Sequence, residues 1–126
     1  MRLTIVKDDS AVYVDGKPHQ IDCSNLPAEF HALQWDGASG EVEFQTIACA
    51  SCGCKSRNGN ALITDVAPYQ PLVDAWNAAE AREKAEVELA AAARAAAGAE
   101  MAEKIKAAAA IAEKAIATAE ASHNVA

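Results

Sequence analysis

The sequence predicts an α+β chain: a small N-terminal antiparallel β module over residues 1–66, then a region at 67–126 built on one long Ala-rich helix. Three observations carry that reading. Asp15-Gly16 stands between apolar runs, and Asp-Gly favours the type I′ hairpin turn because both central residues there need positive φ. Glu41, Glu43 and Gln45 alternate with Val42, Phe44 and Thr46, the period of a half-buried strand. From Ala75 to Ala121 the chain is almost wholly Ala, Glu, Lys and Arg, the residues that lose least on entering a helix.

Leu3 to Lys7 reads as the first strand, with Asp8-Asp9-Ser10 turning the chain back into Ala11–Val14. Beyond the Asp15-Gly16 hairpin, Lys17 to Ile21 forms the return strand. Leu26 to His31 reads as one helical turn, with Asn25 as its cap and Pro27 near the first helical position. Strands at 32–36 and 41–46 flank the turn Asp36-Gly37-Ala38-Ser39-Gly40. Tyr13, Trp35, Phe44 and Trp76 are the expected core aromatics. Residues 55–65 form a polar connector that includes a short extended run at Ala61–Thr64. Pro68 and Pro71 place the helix start near Gln70 or Pro71, since proline is tolerated in the first helical turn.

Glu80 precedes Lys84 and Glu100 precedes Lys104 by four residues, which sets opposite charges on one helical face. Gly98 is the only interior breaker. Fifty helical residues extend roughly 75 Å, more than a small β module can cover. Stepping by three and four from Trp76 reaches Val87, Met101 and Ile105, with Ile111 and Ile116 on the flanks. Glu83 and Arg94 interrupt that seam, and most of its knobs are alanine. Coiled coils want larger residues there, so the readings are a helix packing in an oligomer, a helix lying on a larger partner, or a solvated Ala-rich helix. Trp76, Val87, Met101, Ile105, Ile111 and Ile116 are the expected partner-contacting residues.

The formal net charge is −7, with no Lys/Arg cluster, which argues against binding a phosphate backbone. Met1–Val6 runs directly into Lys7-Asp8-Asp9, so neither a signal peptide nor a transmembrane segment is expected. His19 and His31 lack a sequence-evident nucleophile or carboxylate partner, and read as an exposed hairpin histidine and a helix-end histidine. His123 lies close to the C-terminus. Neither Gly-x-Ser-x-Gly nor a phosphate-cradling glycine loop occurs. The chain does not read as an enzyme.

Cys49, Cys52 and Cys54 form a C-x-x-C-x-C run, and Cys23 stands alone upstream. Three readings stay open. The four thiolates could close a tetrahedral zinc site, although the third spacing is unusual for one. One or two disulfides could form outside a reducing compartment. Or the thiols are free in a surface loop. A thioredoxin-like role is disfavoured because no βαβ pattern surrounds the motif.

The series VYVDG at 12–16, Leu26-Pro27, HALQW at 31–35 and GEVEF at 40–44 resembles small tail-associated proteins of tailed bacteriophages. The resemblance resumes at Ile63-Thr64-Asp65 and at Pro68 to Trp76, and so covers roughly the first sixty per cent of the chain. It implies a virion structural protein of the tail, baseplate or tail fibre. The β module would dock, while the helix would join other tail proteins or copies of itself, a trimer being the fibre-like number. The location implied is the virion tail, with the host cytoplasm during assembly; no nucleic acid or membrane is expected as a partner. Alternatives are a tail-fibre assembly chaperone absent from the mature virion, and a small zinc-binding adaptor using Cys23, Cys49, Cys52 and Cys54. The resemblance implies no catalytic residues, and no cofactor is expected other than zinc under the cysteine reading above.

Overall fold

The computed structural model describes residues 1–124; Val125 and Ala126, the last two of the expected 67–126 region, lie outside the described residues. Alternating burial builds the sheet. In β1 (Leu3–Val6) Leu3 and Ile5 are fully buried, and in β2 (Ala11–Val14) Val12 and Val14 are buried. The period-2 side-chain rule puts each pair on one face, and antiparallel pairing of Leu3 with Val14 and Ile5 with Val12 stacks them. Asp15 at φ 49° and Gly16 at φ 86° close the hairpin to β3 (Lys17–Gln20), as the primed turn requires.

β4 (Phe30–Trp35) returns on the other side of β1, with Leu3 opposite Trp35 and Ile5 opposite Leu33. β5 (Gly40–Phe44) follows after the Asp36–Ser39 turn, in which Asp36 Oδ1 accepts the Ala38 and Ser39 N–H groups at 3.0 and 2.9 Å. These bonds hold the Asp36 carboxyl below its ordinary value. Residues of the connector then form β8 (Ala61–Ile63), which pairs with β5. The six-stranded order is β3-β2-β1-β4-β5-β8. Between β5 and β8, β6 (Ile47–Ala48) and β7 (Lys55–Ser56) pair as a separate two-stranded hairpin around the cysteines.

The expected helical turn at 26–31 does not form. Leu26 N–H donates to the Cys23 carbonyl and Phe30 N–H to the Pro27 carbonyl, which are turn bonds, and Phe30 already starts β4. Burial decides this: Phe30 is 2% exposed and reaches its place opposite Phe44 through a register shift between Phe30 and Ala32. Of the expected core aromatics, Trp35 and Trp76 are buried and Phe44 packs against the core half-buried. Tyr13 belongs to the opposite face of the sheet, half-buried beside Arg2, Thr4 and Val6.

A 3-10 turn at Ala67–Tyr69 leads into α1 (Gln70–Asn124), which starts where the prolines predict. Asp65 Oδ1 accepts the Ala67 N–H at 2.9 Å and so satisfies a donor at this entry. Val73 and Trp76 are buried in the core cluster with Leu3, Ile5, Leu33 and Val42, and Leu72, Ala75 and Ala79 pack against it. The chain divides into two units, the first being Met1–Glu83 and the second beginning at Lys84. The division expected at 66/67 thus falls four turns into the helix, because the β module's core is completed by Val73 and Trp76. No helix among the described residues is long and apolar enough to cross a membrane.

Candidate functional site

Three features of the molecule carry polar or unpartnered chemistry. The first joins β3 to α1. Trp76 is fixed on the core face, and its indole N–H donates to the Lys17 carbonyl at 3.0 Å. One helical turn on, Glu80 therefore meets the β3 side chains: its Oε1 is 2.9 Å from Lys17 Nζ and its Oε2 is 2.7 Å from His19 Nε2. Glu83, three residues along the same face, lies 3.2 Å from Lys17 Nζ and 3.6 Å from His19 Nε2. The His19 ring meets Trp76 edge-on at 5.2 Å. Lys17 and His19 hold the Glu80 carboxyl below its ordinary value, and Glu80 in turn raises the Lys17 ammonium.

The ligand atoms of His19, Glu80 and Glu83 lie within 4.8 Å of one another, a donor set able to hold a divalent cation. The Lys17 ammonium already bridges the two carboxylates, so this cluster is charge-compensated as a clamp. The sequence reads His19 as an exposed hairpin histidine, whereas its side chain is only 11% exposed. Its partner lies 61 residues away, and no local pattern in the sequence links the two. His31 is on β4 rather than at a helix end. Its Nδ1 is buried without a hydrogen bond, 3.7 Å from Asp8 Oδ2.

The second feature is the cysteine hairpin. Cys49 N–H donates to the Cys54 carbonyl and Gly53 N–H to the Cys49 carbonyl, both at 2.8 Å, and Gly53 takes φ 70°. The Cys49 sulfur is 3.1 Å from Ser51 Oγ, and Cys54 N–H donates to the Cys52 sulfur at 3.3 Å. The Ser51 hydroxyl, helped by the Cys52 and Ser51 N–H groups, lowers the Cys49 thiol to about 6. The Cys52 thiol is raised, chiefly by its hydrogen bond with the Cys54 side chain.

Cys23 does not join this loop. It is 1% exposed in the sheet core, its thiol donates to the Ile21 carbonyl at 3.3 Å, and burial pushes its pKa up. The four-cysteine set Cys23, Cys49, Cys52, Cys54 is therefore not assembled: one member packs as a small hydrophobe while three lie exposed on a separate hairpin. No disulfide is present among the described residues.

The third feature is the helix surface. Every described residue from Ala81 to His123 is exposed, including Val87, Met101, Ile105, Ile111 and Ile116. At 100° per residue, Val87, Met101, Ile105 and Ile116 fall within a stripe about 60° wide, whereas Leu89 and Ile111 lie well off it. Trp76, expected as the first residue of the partner-contacting set, is instead core: its burial against the sheet removes it from any seam.

Comparison with protein-family models, characterised proteins and solved structures finds no match to this chain.

Proposed function

We propose that the chain is a bacteriophage virion structural protein of the tail, baseplate or tail fibre. In this reading the β module docks, and the helix assembles with further copies or with another tail protein. The phage context rests on the resemblance along residues 11–46 and 63–76. The observation that carries the assembly role is the uncovered stripe of Val87, Met101, Ile105 and Ile116 on a 55-residue helix.

Magnitudes shape the expected assembly. Each stripe residue is little more than half exposed, so covering it is worth on the order of 1 kcal/mol at the usual coefficient. Pairing two such helices therefore yields roughly what association itself costs in lost freedom. A stable complex needs three or more helices, or a larger partner that also engages the β module.

Light scattering on the full chain and on a chain ending at Glu83 tests this reading. An oligomer that becomes a monomer on truncation is the expected result; a monomer in both rules out self-association. Purified particles should contain the protein. Its presence in infected-cell lysate but absence from particles would favour the assembly-chaperone role instead.

A further inference from the structure

We propose that the hairpin from Ile47 to Ser56 is a thiol–disulfide exchange site, at which Cys49 attacks a small-molecule disulfide and Cys52 closes the product as a Cys49–Cys52 disulfide. Two thiols of the hairpin take two roles. Cys49 is exposed, with the Ser51 hydroxyl 3.1 Å from its sulfur, so a hydrogen-bond donor stands ready for negative charge on that atom. Two cross-hairpin bonds, Cys49 N–H to the Cys54 carbonyl and Gly53 N–H to the Cys49 carbonyl, fold the run back on itself. Residues 50–52 form the turn that these bonds close, so Cys49 and Cys52 stand three residues apart across it. The low value of Cys49 beside the raised Cys52 matches the division between an attacking thiolate and a resolving thiol.

Cys54 lies across the hairpin from Cys49, its carbonyl accepting the Cys49 N–H, so a Cys49–Cys54 bridge is the competing product and its appearance in the mapping below overturns the assignment of Cys52. A Cys52–Cys54 bridge would close across a single residue, far from relaxed disulfide geometry. Cys23 is buried on the core side of the sheet, out of reach of solvent reagents.

The chemistry balances with one oxidant, a disulfide R–S–S–R of the glutathione class. The Cys49 thiolate forms a bond to one sulfur, the S–S bond breaks, and RS⁻ leaves with the electron pair. The Cys52 proton passes to that RS⁻. The Cys52 sulfur then attacks Cys49 and expels the second RS⁻, which takes up from solvent the proton that Cys49 released on ionising. The protein loses two hydrogens to the oxidant and gains a covalent link across the hairpin turn, whose two strands are exposed on every residue.

The reduced full-length protein should be incubated with oxidised glutathione, quenched in acid, digested and mapped by mass spectrometry. The expected product is an internal Cys49–Cys52 disulfide, with Cys54→Ser unaffected. Cys52→Ser should stop at a glutathione adduct on Cys49, and Cys49→Ser should lose the product. Circular dichroism confirms that each exposed-loop variant keeps its helix. First modification at Cys54 or Cys23, or no trapped adduct in Cys52→Ser, overturns the proposal. So does zinc that co-purifies with the reduced chain and is lost in Cys49→Ser or Cys52→Ser, which would assign the loop to metal.

Discussion

Trp76 is the residue on which the first unit closes. The residue is 8% exposed in the sheet core, its indole N–H donates to the Lys17 carbonyl, and its position aims Glu80 at β3. Trp76→Ala removes a large buried ring and should cost about 3–5 kcal/mol, read as a lower urea midpoint by fluorescence of Trp35. Glu80 makes stability depend on pH. Its folded value is depressed, so the stabilisation is present above the unfolded value, near 4.5, and is lost as pH falls through the lower folded value. Glu80→Gln should therefore flatten the acid limb of the stability profile, as followed by urea titrations between neutral and acid pH. The limb should shrink rather than vanish, because Asp22 and Asp36 are depressed by N–H donors of the Ser24 and Ala38–Ser39 turns and contribute with the same sign.

At the level of elements, the helix is long because nothing in its sequence stops it. Gly98 is the one weak point, and a Cβ added there would meet nothing within 4 Å. Gly98→Ala should raise the thermal midpoint of the helical circular dichroism signal, with a gain of about 0.5–1 kcal/mol. Periodicity and turn chemistry made several elements legible beforehand: the Asp15-Gly16 hairpin, the alternation of Val42 with Glu41 and Glu43, and the proline-marked helix start. The turn at 26–31 misled because Asn25 and Pro27 are good helix-entry residues, while the demand that Phe30 be buried opposite Phe44 is a tertiary fact. The edge strand Ala61–Ile63 was visible only as an extended run, since its partner β5 lies beyond an intervening hairpin. The same limit hid the candidate sites. A C-x-x-C-x-C run shows that thiols are close, but it cannot show that Cys23 is claimed by the core, or that His19 has a glutamate 61 residues away.

The whole molecule divides at Glu83, and this placement has an experimental edge. A chain ending at Glu83 should keep a cooperative urea transition, since it retains Val73, Trp76 and the Lys17–His19–Glu80–Glu83 cluster. A chain ending at Val66 should lose that transition, because the sheet would expose the apolar face those residues cover. The sheet order also sets a timetable for biosynthesis. β1 is made before β4 yet lies between β2 and β4 in the sheet, so it waits for β4; the core waits longer still, for Trp76. Once Trp76 has been added, the helical stretch that follows it still takes several seconds to translate at roughly 5–20 residues per second. Hairpins form in about 1–10 μs, so the sheet has ample time to consolidate while the ribosome is still adding alanines. The apolar stripe from Val87 to Ile116 is thus made after the β module and Trp76, and the nascent chain presents it only once the first unit's strands exist.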